Sequence, residues 1–278
     1  MKLALAIAAA FSSAALGAHT NNILVTGYWP PTNEMLRPFS TNPAQNAGGW
    51  QGGNWEGRGY NIHSYFPEFP GGMNDNPQGD GDFQVDYQFA SADFWRITAE
   101  LQPVAIITFS RGAGPLRGEW EIESRHRALA LDDWTDDYEA PFRPTADLPF
   151  ASEATGTVRN SSLPMTQIRD AVNAAGLGFT ARIDTSNAFG GEFVSEFTGY
   201  HSSWYANMHS DPNDPAWCVA GGHVHVGRST PLAGSMLATE ITLRELIAYV
   251  DTQVPAPASV GTLAAFLIVT PRRRRDVA

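Results

Sequence analysis

The sequence predicts an α/β protein in which helices cover both faces of a mostly parallel sheet, giving three layers (αβα). Two short runs at 22–27 and 104–109 consist mainly of apolar and β-branched residues. Strands of this kind are typical of parallel sheets that are buried on both faces. Amphipathic segments predict helices at Ser91–Leu101 and Pro164–Ala175. Their alternation with the apolar strands indicates an α/β fold.

The remaining elements follow the same pattern. Further strands are predicted at Tyr60–Phe66, Phe179–Asp184 and Trp217–Val226. A final helix is predicted to open at residues 242–245, which have the spacing of a capping box. The segment 112–162 is predicted to consist mainly of loops with short strands. Because no internal repeat interrupts the pattern, we expect one α/β domain over residues 19–252.

Both ends of the chain carry patterns typical of exported proteins. Residues 1–18 combine an early Lys2, an apolar stretch and small residues, which predicts a secretory signal peptide. Residues 253–278 contain a Pro-Ala-Pro motif, a short apolar segment and the cluster Arg272–Arg275, and they resemble PEP-CTERM sorting tails. The apolar segment is shorter than the roughly 20 residues of a comfortable membrane span. We expect a periplasmic, cell-surface or extracellular protein, transiently anchored through a tail that sorting machinery recognises.

The composition limits the classes of partner and of site. The chain has 18 Lys and Arg against 29 Asp and Glu, a formal net charge of −11. Such a surface repels phosphate backbones, so nucleic acid is not expected as a partner. Cys218 is the single cysteine, which excludes an intramolecular disulfide and a zinc site built from several thiolates. It lies in an apolar run, which predicts a buried, unreactive thiol.

Candidate catalytic residues lie where the predicted strands end. Ser195 follows a glycine turn at Gly190 and Gly191, and a small nucleophile after such a turn is typical of acyl-transfer enzymes. His225 ends another predicted strand. A nucleophile, a histidine and a carboxylate from different strand ends are the groups that a catalytic triad needs. Spacing alone does not choose among the three nearby carboxylates, Glu119, Glu121 and Glu123.

The order of these motifs resembles the pyroglutamyl peptidase type I family, the pyrrolidone-carboxylate peptidases. The family's opening strand is matched by residues 24–31, LVTGYWPP. Its nucleophile motif is matched by residues 186–195, SNAFGGEFVS, and its histidine motif by residues 222–227, GHVHVG. The matches run in the family's order over residues 22–250. The resemblance implies the family's phosphorylase/hydrolase-like fold.

The resemblance also implies the site residues and the activity. The implied catalytic residues are Ser195, which stands where the family has its cysteine, His225 and Glu123. The implied substrate-binding residues are Tyr28, Pro31 and Arg111. The implied reaction removes an N-terminal pyroglutamyl or related blocked residue from a peptide or small amide by acyl transfer, with no cofactor and no metal.

Two alternatives remain open from the residues themselves. With Ser195 in place of the family's cysteine, the chain also fits a catalytically inactive binding protein that keeps the peptidase fold at the cell surface. A metal site would instead use four histidines, because His-x-His in a strand directs both rings to one face. These histidines are His201, His209, His223 and His225.

Overall fold

The computed structural model describes residues 19–112, 118–145, 153–186 and 191–254. The predicted signal peptide and nearly all of the predicted sorting tail lie outside these ranges and stay predictions. The described strands are β1 (Asn22–Thr26), β2 (Asn61–Tyr65), β3 (Ala105–Gly112), β4 (Glu119–Glu123), β5 (Arg125–Arg127), β6 (Val158–Asn160), β7 (Thr180–Asp184) and β8 (Ala220–Gly227). The described α-helices are α1 (Thr32–Leu36), α2 (Tyr87–Leu101), α3 (Met165–Ala174), α4 (Val194–Met208) and α5 (Leu232–Gln253). Among them, no helix has the length and apolar character needed to cross a membrane.

Six of these strands form one sheet in the order β2-β1-β3-β8-β4-β7. Neighbouring strands are parallel except β4 and β8, which run antiparallel. The short strands β5 and β6 pair in a separate antiparallel ribbon. This mostly parallel sheet, with helices packed against it, confirms the predicted α/β fold.

The two faces of the sheet bury two separate apolar cores. Ile23 and Val25 of β1 lie in one core together with side chains of α1, α3 and α5. Leu24, between them in sequence, lies in the other core with side chains of α2 and α4. All three strand residues are fully buried. Because side chains alternate along a strand, burial on both faces explains why β1 and β3 are continuous apolar runs.

The predicted start of the last helix is wrong. Helix α5 begins at Leu232, and Thr242 of the predicted capping box is a buried residue of its interior. The hydroxyls of Ser235 and Thr239 donate to carbonyls one turn earlier, Pro231 O and Ser235 O respectively. Polar residues that bond back in this way are accommodated inside a helix, so their presence does not mark a loop.

Helix α4 and strand β4 are the elements for which the sequence pattern is weakest. Strand β4 lies inside the sheet, within the segment predicted as mainly loops, and buries Trp120 and Ile122. Helix α4 begins three residues after Gly191, and it buries side chains around most of its circumference. A helix without a solvent face lacks the amphipathic periodicity by which helices are predicted.

His201 on α4 is a buried imidazole held in its neutral form. Its Nδ1 lies 2.6 Å from the carbonyl oxygen of Phe197, to which it donates, so its Nε2 accepts from Ser91 Oγ at 3.3 Å. Burial lowers the pKa of His201 from 6.5 to about 4. Between these values the unfolded chain binds a proton that the folded chain does not. Stability is therefore lost as the pH falls through this window, by on the order of 3 kcal/mol.

We expect the free energy of unfolding in urea to fall more steeply for the wild type than for His201→Gln between about pH 7 and about pH 4.5, because glutamine takes up no proton. Ser91→Ala is the matched control, since it removes the hydrogen-bond partner but keeps the imidazole, and it should retain the wild-type slope. Equal slopes for the wild type and His201→Gln would contradict the assignment.

Cys218 is fully buried, with its Sγ 3.5 Å from Ala220 O, and burial raises the pKa of the thiol. We expect no alkylation of the native protein by iodoacetamide, and one modified thiol per chain after unfolding in guanidinium, as mass spectrometry would show. Alkylation of the native chain at the rate of an exposed thiol would show that Cys218 is accessible.

Candidate active site

Polar side chains of three adjacent strands meet on the face of the sheet that α4 covers. Val224 of β8 lies in the core on the α5 face, so His223 and His225 on either side of it point towards α4. Ser110 of β3 pairs with His225 in the parallel register. Strand β4 runs antiparallel to β8, which brings Glu123 to the same place.

His225 lies between a carboxylate and a hydroxyl. Its Nε2 is 2.6 Å from Glu123 Oε1, and its Nδ1 is 3.2 Å from Ser110 Oγ. Ser110 Oγ also lies 2.7 Å from His223 Nε2, and His223 Nδ1 lies 2.7 Å from Thr108 Oγ1. All five residues are buried. They form a chain of alternating hydroxyls and imidazoles that ends at the Glu123 carboxylate.

The charges at the end of this chain determine where the protons lie. Burial raises the pKa of Glu123, but the charge of His225 and the contact with His126 outweigh burial and hold it well below its usual value. An ionised carboxylate offers only lone pairs, so when the His225 ring has one hydrogen, it lies on Nε2, the nitrogen that faces Glu123. In that tautomer Nδ1 accepts from Ser110, and Ser110 accepts from His223. Burial lowers the pKa of His223, which keeps that ring neutral.

A second histidine lies on the other side of Glu123. His126 of β5 has its Nδ1 3.1 Å from Glu123 Oε2 and 3.5 Å from Oε2 of Glu196, a residue in the first turn of α4. Burial lowers the pKa of His126, but the two carboxylates outweigh burial and raise it to about 9. Burial raises the pKa of Glu196 to about 7. These distances suit ion pairs, yet the contacts of Glu123 with His126 and His225, and of Glu196 with His126, lack hydrogen-bond geometry.

A cavity of about 50 Å³ opens beside this chain. Its lining consists of Tyr28, Trp29, Val85, Ser110, Arg111, Phe193, Val194 and Ser195. Ser110 therefore connects the cavity to His225. A larger cavity of about 310 Å³ is lined by residues such as Ser162, Ser210 and Cys218. None of the five hydrogen-bonded or ion-paired residues described above lines it. The chemistry of the groups, and not the cavity size, therefore identifies the site.

Arg111 supplies positive charge to the cavity. Its guanidinium carbon lies 4.7 Å from the centroid of the Trp29 ring, and its Nη1 lies 3.5 Å from Met73 Sδ. Burial and the like charge of Arg228 lower its pKa. Among the described residues, Arg111 forms no ion pair with a carboxylate. A cation held against an aromatic ring without an acidic partner favours an anionic group of a ligand.

The structure brings most of the predicted site residues together. Ser195, Tyr28 and Arg111 line the same cavity, and Glu123 contacts His225. Pro31 directly precedes α1 and is not among the residues that line the cavity. Neither ring nitrogen of His225 contacts Ser195, because both face Glu123 and Ser110. Ser195 as the nucleophile therefore stays a prediction.

The four histidines of the predicted metal alternative do not assemble. His223 and His225 are neighbours, with ring centroids 4.7 Å apart. His201 instead donates to the backbone of its own helix, and His209 Nδ1 lies 2.7 Å from Asp214 Oδ2 at the other end of α4. That four-histidine set is thus excluded by the geometry.

Three residues of the site were not proposed from sequence as members of it: Ser110, His126 and Glu196. Ser110 directly follows an apolar run predicted as a strand, where function collects in parallel sheets, but its contact with His225 depends on the register of β3 and β8. The sequence around His126 has no distinguishing pattern. Glu196 directly follows Ser195 in the sequence. Its carboxylate is fully buried and faces His126 and the backbone N–H of Arg127, which lies 2.6 Å from its Oε1.

No protein-family model and no curated protein matches this sequence. Solved structures do resemble it. Pyrrolidone carboxyl peptidase from Thermococcus litoralis aligns with a TM-score of 0.56 at 15% identity, over 85% of this chain and 99% of that chain. Pyroglutamyl peptidase I from Bacillus amyloliquefaciens aligns with a TM-score of 0.56 at 15% identity, over 83% of this chain and 97% of that chain. At such identity the likeness establishes architecture, and the chain has the α/β fold of the pyrrolidone carboxyl peptidases.

Proposed function

We propose that the protein is a hydrolase that removes an N-terminal pyroglutamyl or related blocked residue from a peptide or small amide, with a serine as nucleophile. The observation that carries the proposal is the Glu123–His225–Ser110 contact chain, which ends at the cavity. The solved structures that share the fold include pyroglutamyl peptidase I and pyrrolidone carboxyl peptidases. Their names supply the substrate class, and the residues of this chain supply the chemistry.

Two serines line the cavity, and the contacts favour Ser110 as the nucleophile. Ser110 has its hydroxyl 3.2 Å from a ring nitrogen of His225, whereas Ser195 has no side-chain hydrogen bond within the described part of the chain. A serine hydroxyl, unlike a thiol, is a weak nucleophile at its free pKa and needs an adjacent general base. The resemblance to the family favours Ser195, at the position of the family's cysteine. Both assignments share His225 as base and Glu123 as the group that orients it.

The reaction follows from these positions. As Ser110 Oγ attacks the acyl carbon, its proton passes to His225 Nδ1, and Glu123 stabilises the imidazolium. His225 returns the proton to the leaving amine when the carbon–nitrogen bond breaks, which leaves an ester on Ser110. Water then attacks the ester with His225 again as base, releasing the acid and restoring the hydroxyl. The first N–H groups of α4, at Val194 and Ser195, have no partner inside the helix and are available to the oxyanion.

Arg111 provides a basis for substrate preference. Arg111 lines the cavity, and its guanidinium brings a positive charge there. With no acidic partner among the described residues, the guanidinium favours substrates that bring a carboxylate into the cavity. We infer that short blocked peptides with a free carboxylate bind better than their amides.

A non-catalytic binding protein on the same fold is the second candidate. It is favoured by the absence of a contact between Ser195 and His225, and by the aromatic cavity, in which Arg111 has no carboxylate partner among the residues that the structure describes. In this case the cavity would retain an anionic ligand without turnover. In either case we propose that the predicted leader and sorting tail direct the protein to the cell surface or beyond.

Serine substitutions separate the two nucleophile assignments. With pyroglutamyl p-nitroanilide as substrate, we expect Ser110→Ala to lower kcat by at least about a thousandfold, because the hydroxyl that attacks the acyl carbon is removed. Ser195→Ala should cost at most about a hundredfold, as for a group near the oxyanion. Ser210→Ala, an exposed serine beyond the end of α4, is the matched control and should leave kcat unchanged.

The opposite ranking, with activity lost in Ser195→Ala and kept in Ser110→Ala, would restore Ser195 as the nucleophile. Wild-type turnover no faster than that of His225→Ala, on this substrate and on a set of N-blocked amides and esters, would reject the hydrolase. Specific retention of an anionic ligand by the same preparation would then support the binding protein.

We expect Arg111→Gln to remove the preference for a free carboxylate. In the wild type, KM for pyroglutamyl-alanine should be lower than KM for its amide by about tenfold, as for one charge-assisted contact. The two values should become equal in Arg111→Gln, with kcat little changed. Arg169→Gln on α3, whose arginine pairs with Asp170, is the control and should keep the preference. An unchanged ratio in Arg111→Gln would show that Arg111 does not contact the substrate.

A further inference from the structure

Two buried carboxylates and one imidazole converge next to the Glu123–His225–Ser110 contacts, on the side away from the cavity. Glu123 of β4, His126 of β5 and Glu196 of α4 have side chains that are at most 2% exposed. One ligand atom from each lies within 4.8 Å of the others. Buried carboxylates are costly unless a cation or hydrogen-bond donors compensate them. In this group a single imidazole lies between two buried carboxylates.

The contacts within this group are not those of a hydrogen-bonded network. His126 Nδ1 lies 3.1 Å from Glu123 Oε2 and 3.5 Å from Glu196 Oε2, but neither contact has hydrogen-bond geometry. These three atoms are buried without a hydrogen-bond partner. Native proteins seldom leave such atoms unsatisfied, so all three are available as ligands of a bound cation.

The distances from His126 Nδ1 to the two carboxylate oxygens are close to those between ligands of one metal ion. Two ligands at the usual bond length from a tetrahedral zinc ion lie about 3.3–3.5 Å apart. The two distances from His126 Nδ1, 3.1 and 3.5 Å, bracket this range, and the two carboxylate oxygens lie within 4.8 Å of each other. The neighbouring group of Glu123, His223 and His225 fits less well. There His225 Nε2 is only 2.6 Å from Glu123 Oε1, and both nitrogens of His223 are already hydrogen-bonded.

The surrounding residues hold the three side chains in this arrangement. The backbone N–H of Arg127 donates to Glu196 Oε1 at 2.6 Å, which leaves Oε2 directed to His126. Gly199 on α4 makes room for the ring of His126, since a Cβ at that position would lie 2.7 Å from Nδ1. Partners of this kind orient the ligands of metal sites.

We propose that Glu123 Oε2, His126 Nδ1 and Glu196 Oε2 bind one divalent transition-metal ion, with Zn²⁺ as the best fit. One imidazole with two carboxylates is a zinc donor set, whereas Ca²⁺ and Mg²⁺ take oxygen ligands almost exclusively. Glu123 then uses one oxygen for the metal and the other for His225. The ion would fix the carboxylate that orients the base, as a structural group behind the cavity. This proposal does not depend on the protein being a hydrolase, and it revises the expectation of a metal-free site.

The test is the metal content and metal-dependent stability of the purified full chain. After expression with added zinc and passage over a chelating resin, we expect one Zn²⁺ per chain by plasma mass spectrometry. Chelator treatment should lower the melting temperature, and Zn²⁺ at one hundred times its Kd should add about 2.7 kcal/mol of stability. Glu196→Gln and His126→Asn should weaken binding by at least about tenfold. His209→Asn, which alters a histidine–carboxylate pair outside the cluster, should bind as the wild type does.

Less than a tenth of an equivalent of zinc in the wild type, with no stabilisation by added Zn²⁺, would overturn the proposal. So would wild-type affinity in both cluster variants, since the ion would then lie elsewhere. If those variants fail to fold, the visible spectrum of Co²⁺ added to the wild-type apoprotein tests the site instead. The visible spectrum of tetrahedral nitrogen and oxygen ligation supports the site, and a spectrum identical to that of aqueous Co²⁺ overturns it. Because no substrate is used, loss of the proposed hydrolase activity and loss of the metal are distinguishable.

Discussion

The antiparallel pairing of β4 with β8 is the constraint on which the site depends. In the sheet β4 and the edge strand β7 run opposite to the other four strands. The register of β4 beside β8 sets Glu121 opposite His225. Glu123, on the same face, then reaches His225, while its other oxygen faces His126. Removing Glu123 would leave His225 and His126 without their nearest carboxylate in a buried region, where electrostatic interactions are strong. The position of one strand thus determines both the proposed base and the proposed metal ligands.

Helix α4 completes the site because it packs unusually close to the sheet. A Cβ on Gly221 of β8 would lie 2.2 Å from the carbonyl oxygen of Ser202, and Gly199 similarly accommodates His126. This close approach seals Glu196 and His126 from water, and it places the first turn of α4 at the cavity. The same burial makes His201 neutral. Because α4 excludes water, the electrostatic interactions among these polar groups are strong. A ligand can reach Ser110 through the cavity.

The sequence predicted those elements whose pattern of apolar residues directly reflects which side chains are buried. The apolar runs of β1, β3 and β8 reflect burial on both faces, and His225 could be placed at a strand end for that reason. Glu123 could be chosen only through the resemblance to a family. Ser110, His126 and Glu196 depend on the register of β3, β4 and β8 and on the packing of α4. Such long-range contacts have no local signature, and a helix buried all round has no amphipathic pattern either.

The proposal of a serine nucleophile depends on the contacts of Ser110, because a hydroxyl and a thiol need different help from a base. A thiolate can persist beside an imidazole, whereas a serine needs a base that accepts its proton during attack. His225 has one free ring nitrogen for this purpose once Glu123 occupies the other, and that nitrogen faces Ser110. Ser195 would have to compete with Ser110 for the same nitrogen. The proposed hydrolase therefore has its nucleophile near the end of β3, with the base on β8 and the carboxylate on β4.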